Sequence, residues 1–189
     1  MNKKQKIVVA ITGASGSIYA HRLLVNLEKY SDQIDTINLV FSATAKDVWL
    51  HELDTHINNK VNYKIYENDD FLAPFASGSA GYDTLIICPA SMGTVGRIAN
   101  GLSSDLISRT ADVMLKERKK LLIVPRETPL NLIHLRNMTQ LTESGAVIIP
   151  ASPSFYSLPK NIEELVDTVI HRIISLAGFD VDMFKWGEK

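Results

Sequence analysis

IVVAITGASGSIYAHRLL, Ile7 to Leu24, is the stretch on which the fold turns. The apolar, mostly β-branched run Ile7 to Ile11 reads as a strand buried on both faces, the pattern of a parallel sheet covered by helices. Thr12-Gly13-Ala14-Ser15-Gly16 then turns, and Ile18, Leu23, Leu24 and Leu27 follow at helical spacing. Strand, glycine turn and helix is the layout that aims backbone N–H groups and a helix N-terminus at a phosphate. The two glycines let a backbone approach a ligand closely, and Ser15 and Ser17 add hydroxyls. A phosphate-bearing cofactor on this turn is one expectation. An ordinary strand-to-helix connection without a ligand is the other.

The layout recurs along the chain. Thr84 to Cys88 is a second apolar strand, which ends in Pro89-Ala90-Ser91-Met92-Gly93-Thr94 before helical periodicity resumes at Val95. Two such turns in one sheet are what a mononucleotide site at the carboxyl ends of the strands needs. Thr36 to Phe41 is a further strand, with Ser42 at its end. A dinucleotide-binding fold often has an acid there for a ribose diol, so the hydroxyl argues against NAD. Leu121 to Val124 ends in Pro125-Arg126-Glu127-Thr128-Pro129, where two prolines hold an Arg–Glu pair, and Ala146 to Ile149 is the last strand. Pro150 to Pro159 is a rigid loop presenting Phe155 and Tyr156. Helices are predicted over Ala43 to Leu53, with Glu52 near the end, and within Leu102 to Arg118, Asn131 to Ser144 and Ile162 to Leu176, the last bearing Arg172. The charge run from Lys116 to Lys120 reads first as a solvated helix end with favourably placed cations. Val61 to Tyr66 alternates as a short strand, and Asn68 to Tyr82 is a loop carrying Phe71 and Phe75, either functional or a plain surface connection. The predicted fold is α/β: a Rossmann-like, three-layer parallel sheet with helices on both faces.

Composition narrows the function classes. The 189 residues suit a single domain, 1–189, with 179–189 as a tail whose Met183, Phe184 and Trp186 would pack on a neighbour or over the site. A net charge of −1 gives no field toward nucleic acid or an anionic membrane, and no apolar run is long enough to span one. Lys3, Lys4 and Lys6 are followed too closely by a strand for a signal peptide, so a cytoplasmic protein is expected. The single cysteine, Cys88, excludes an internal disulfide, and the five histidines lack metal-site spacing, so no metal is assigned. The glycine turn and Tyr156-Ser157-Leu158-Pro159-Lys160 imitate short-chain dehydrogenases, but Pro159 breaks the helix that would align Tyr156 with Lys160, and that reading fails.

Several segments together resemble the flavin prenyltransferases, the UbiX family. They are TGASGSIYA (Thr12 to Ala20), Ser42, PFASGS (Pro74 to Ser79), CPASMGT (Cys88 to Thr94), the long block Ala111 to Met138, GAVIIPASPSFY (Gly145 to Tyr156) and WGE (Trp186 to Glu188), in order over nearly the whole chain. The resemblance implies a flavoprotein fold, reduced FMN as the flavin, dimethylallyl phosphate as second substrate, and neither metal nor pyrophosphate. The allyl group would be bonded to flavin N5 and C6, and the prenylated FMN passed to a UbiD-type decarboxylase. It implies that Gly13, Ala14, Ser15, Ser42, Ser91, Met92, Gly93, Thr94 and Arg126 hold the flavin. Tyr156 and Arg172 would grip the prenyl phosphate with Lys116 from a neighbouring subunit, and Trp186 would line the pocket. Glu127 and Ser15 would relay a proton, and Glu52 would complete the site. It implies a homo-oligomer, a dodecamer, with the site between subunits. Two rivals share the first turn: a flavin-dependent cysteine decarboxylase, which carries a Pro-x-Met-Asn clamp where this chain has Pro125 to Pro129, and a non-catalytic flavin-binding subunit.

Overall fold

The computed structural model describes residues 4–56, 63–184 and 187. Six parallel strands form one sheet: β1 (Gln5–Ile11), β2 (Ile34–Phe41), β3 (Tyr63–Tyr66), β4 (Thr84–Ala90), β5 (Lys120–Pro125) and β6 (Val147–Ile148). Their order is β3-β2-β1-β4-β5-β6, so the winding direction reverses between β1 and β4. In such sheets ligands bind at the carboxyl ends of the strands beside that reversal.

The β-branched runs are buried on both faces, as a doubly covered sheet requires. Ile7, Val9 and Ile11 pack toward one layer and Val8 and Ala10 toward the other. The first layer holds α1 (Ser17–Leu27), α2 (Ala45–Leu53) and α6 (Ile162–Ala177), with Leu23, Trp49, Ile170 and Ile173 in its core. The second holds α3 (Met92–Ala99), α4 (Leu106–Lys116) and α5 (Leu132–Glu143), with Val95, Leu106, Met114 and Leu141 inside.

Caps explain several boundaries. The Ser91 side chain accepts from Thr94 N and starts α3 three residues before the apolar periodicity suggested. Asp105 and Ser108 form a reciprocal capping box on α4. Lys120 Nζ donates to the Ala177 carbonyl at 2.6 Å, a cation on the free carbonyl end of α6.

The 68–82 loop has a different character from the aromatic display it resembles in sequence. Phe75 is fully buried and meets Tyr66 and Tyr82 edge-on, with centroids 5.0 and 5.4 Å apart. Tyr82 in turn accepts from Asn38 Nδ2 at 2.5 Å, which pairs the buried polar group of β2. Only Phe71 of the two phenylalanines remains exposed. Val61, Asn62 and Trp186 lie outside the described residues, so the first part of the predicted third strand and the tail tryptophan are not placed.

Candidate active site

The loops following β1, β2, β4, β5 and β6 carry Gly13, Ala14, Ser15, Ser42, Ser91, Arg126, Glu127 and Tyr156, while Met92, Gly93 and Thr94 open α3 and Glu52, Lys116 and Arg172 lie on α2, α4 and α6. Thr12 joins the two central turns. Its buried hydroxyl donates to the Pro89 carbonyl at 2.8 Å and accepts from Ser91 N at 2.8 Å. Gly13 presses against the turn after β2: a Cβ there would collide with Thr44 Oγ1 and lie 3.1 Å from Thr44 Cβ. Gly16 has φ +110°, a backbone that favours glycine. Arg126 Nε donates to the Ser15 carbonyl at 2.8 Å and so ties the turn after β5 to that after β1.

The N-terminus of α1 is already occupied by a carboxylate. Gly16 N donates to Glu52 Oε2 at 2.9 Å and Ser17 N to the same oxygen at 2.7 Å. Glu52 arrives from the last turn of α2, so the amides that the sequence aims at a phosphate are satisfied from within the chain. What burial Glu52 has opposes its ionisation, but hydrogen bonds from Ser15, Ser17 and Gly16 overcome it and hold the carboxyl below the ordinary glutamate range.

The N-terminus of α3 is different. It opens into a cavity of 350 Å³ lined by Gly13, Ser42, Thr44, Ser91, Thr94 and, at the far side, Arg97 with Asp105. Hydroxyls from the turns after β2 and β4, a helix N-terminus and a guanidinium are a donor set suited to a phosphate monoester such as that of FMN. Arg97, Asp105, Thr12 and Thr44 carry no assignment in the sequence reading. The available signal for Arg97 was its i,i+3 spacing from Thr94 on one helix.

A larger cavity of 560 Å³ runs along α6 and includes Arg172, Thr168, Ser154, Met183 and Phe184. Ser154 N donates to Thr168 Oγ1 at 3.0 Å and docks the loop after β6 one turn before Arg172. Tyr156 stacks on Phe184 with rings 6.4 Å apart and 11° between planes. Phe184 of the tail thus touches Tyr156 and lines the Arg172 cavity of its own chain. The same loop returns to the central turns: Ala151 N donates to the Pro125 carbonyl at 3.0 Å, and Tyr19 Oη to the Ala151 carbonyl at 3.4 Å.

Two residues stand apart. Glu127 is exposed at the β5 loop, its Oε1 accepting from Thr128 N at 3.0 Å. Lys116 ends α4 in the second helical layer, bonded to Glu117 at 2.6 Å, whereas Arg172 belongs to α6 in the first. One chain does not bring Lys116 to Tyr156 and Arg172. Among the described residues no group of three or more His, Cys, Asp or Glu side chains is placed to hold a metal ion, and no helix is long and apolar enough to cross a membrane.

Fold and site together define an α/β flavoprotein-type mononucleotide binder, and the Flavoprotein family matches residues 1–174. The chain is 46% identical over 185 residues to the flavin prenyltransferase UbiX of Methanocaldococcus jannaschii, covering 96% of this chain and 98% of that one. The crystal structure of AnUbiX (PadA1) in complex with FMN and dimethylallyl pyrophosphate superposes with a TM-score of 0.91 at 40% identity, over 98% of this chain and 100% of that one. A dodecameric FMN-dependent UbiX-like decarboxylase from Escherichia coli O157:H7 superposes with a TM-score of 0.89 at 31% identity, over 98% and 100%. The chain belongs to the UbiX flavin prenyltransferase family.

Proposed function

We propose that this protein transfers a dimethylallyl group from dimethylallyl phosphate to N5 and C6 of reduced FMN, and that the product serves a UbiD-type decarboxylase. The observation that carries this reading is the presence of two separate cavities in one chain, each with an arginine: the hydroxyl cradle at α3, and the cavity along α6 that holds Arg172 and Phe184, the latter stacked on Tyr156. A protein that only stores a flavin needs the first and not the second. The Arg126-Glu127-Thr128 segment, with Arg126 held on Ser15, stands where a cysteine decarboxylase would carry its substrate clamp.

The reduced flavin supplies the nucleophilic N5 and C6 positions. Gly13, Ala14, Ser15, Ser42, Arg126 and the Ser91-Met92-Gly93-Thr94 turn hold it. Arg172 and the Tyr156 hydroxyl bind the leaving phosphate, whose charge grows as the allylic C–O bond breaks. Lys116 joins them from a neighbouring copy in a homo-oligomer, a dodecamer, since within one chain it lies in the other helical layer. Exposed Leu132, Ile133 and Phe155 support such an assembly. Glu127 takes the proton released when the ring closes at C6, with Ser15 relaying it, and Glu52 fixes Ser15. Trp186 lines the prenyl pocket. The protein acts in the cytoplasm, and no step calls for a metal.

The test is anaerobic. Protein, dithionite-reduced FMN and dimethylallyl phosphate are mixed, and the extracted flavin is weighed by mass spectrometry. A gain of one five-carbon unit is expected, with the pyrophosphate ester slower than the monophosphate. Unchanged FMN on a protein that demonstrably binds it would overturn the reading and turn attention to cysteine-ended substrates.

A further inference from the structure

Arg97 sits where an isolated helix would not place a cation. Its Cα belongs to the last turn of α3, and the side chain leans back along the helix, the ordinary direction for a long helical side chain, which in so short a helix carries the guanidinium to the first turn. Nη2 donates to Thr94 Oγ1 at 3.1 Å, and Nη1 lies 3.9 Å from where a Cβ on Gly93 would stand. The N-terminus of a helix carries the positive end of its dipole, so a cation there is repelled unless an anion accompanies it. Asp105 supplies one anion, with Oδ2 3.2 Å from Arg97 Nε. That contact is an ion pair without an aligned hydrogen bond, and the other carboxylate oxygen, Oδ1, accepts from Ser108 N at 2.8 Å as the cap of α4. The pair lines the same 350 Å³ cavity as Ser42, Ser91 and Thr94, and Arg97 is the cation among its described lining residues.

We infer that Arg97 binds the terminal phosphate of the flavin and makes the protein select FMN over the unphosphorylated riboflavin. The inference rests on the reading of this chain as an FMN-using prenyltransferase. The hydroxyls of Ser42, Ser91 and Thr94 are neutral donors that a dianionic phosphate shares with water at modest gain. The Asp105 carboxylate beside them repels the dianion. Arg97 offsets that charge and leaves guanidinium N–H groups directed at the helix N-terminus, where the phosphate oxygens meet them. Asp105 therefore acts as a positioning residue: it holds Arg97 over the cradle when no phosphate is present.

The test is a pair of titrations on the full-length protein, with FMN and riboflavin each followed by quenching of flavin fluorescence. Wild-type protein is expected to bind FMN more tightly than riboflavin. Arg97→Met should weaken FMN about 10-fold to 100-fold, the size of a lost charge-assisted contact, and leave riboflavin within about twofold. Arg97→Lys should fall between, keeping the charge without the fork, and guards against a folding defect in the first variant. Added salt should erode the FMN preference of wild type more than that of Arg97→Met. Equal loss for both flavins in Arg97→Met, or no loss for either, would overturn the inference, as would equal wild-type affinity for the two. A protein that prefers FMN through Arg97 but does not prenylate it leaves this inference standing and sinks the proposed reaction instead.

Discussion

The turns after β1 and β4 are alike in layout and differ at the helix N-termini that follow them. Both run strand, small polar turn, helix; both lie at the reversal of the sheet; and Thr12 joins them by two hydrogen bonds. At the first turn Gly13 packs on Thr44 and borders the cavity, while the Gly16 and Ser17 amides at the start of α1 are filled by Glu52. The second is open, with the α3 N-terminus facing a cavity lined by hydroxyls and one guanidinium. A glycine-rich turn is thus not in itself a phosphate seat. What occupies the helix N-terminus decides, and that occupant comes from elsewhere in the chain.

Four substitutions break or sharpen this contrast, from the largest expected effect to the smallest. Thr12→Val keeps the shape but strands the Pro89 carbonyl and Ser91 N–H inside the joint, costing about 3 kcal/mol of stability and loosening both turns together. Chemical denaturation reads it, and an unchanged midpoint would mean that the two turns are independent. Gly13→Ala forces a methyl against Thr44 and should cost about 2 kcal/mol, largely recovered in the double variant with Thr44→Ala. Without that recovery, the glycine serves something other than this packing. Ser91→Ala removes the α3 cap, costing about 1 kcal/mol, and weakens FMN about 10-fold, because the lost hydroxyl faces the open cradle. Glu52→Gln should cost under about 1 kcal/mol at neutral pH, the size of one carboxylate at a helix N-terminus, read by chemical denaturation.

The last effect has a pH signature. The folded state holds the Glu52 carboxyl below its ordinary value of 4.5, so its contribution is complete above that value and is lost as pH falls through the lower, folded one. Wild type and Glu52→Gln should therefore differ at pH 7 and converge in acid. A gap that persists at pH 3 would assign the cost to shape and not to charge.

Much of the fold was legible because burial on both faces leaves an unmistakable mark: runs without a charged residue, rich in β-branched side chains, at Ile7 to Ile11 and Thr84 to Cys88, each followed by a helical period. Boundaries shifted where a polar cap and not an apolar residue begins the helix, as at Ser91. The 68–82 loop left two readings open. An aromatic among small residues carries no periodicity, so nothing in the sequence says that Phe75 turns inward to Tyr66 and Tyr82.

The sequence by itself determined the parallel α/β sheet, the turns that lie at its carboxyl edge and, through a long run of matching segments, the family. Those properties live in local pattern, where hydrophobic period and turn chemistry act within a few residues of one another. Only the tertiary structure decided which helix N-terminus is filled and which faces a cavity. Glu52 reaches Gly16 across 36 residues of chain, and Arg126 reaches Ser15 across 111. It also decided that Lys116 and Arg172 stand in opposite helical layers of one chain. Side-chain contacts between distant segments are fixed by how the layers pack on the sheet, and packing of that kind leaves no period to read.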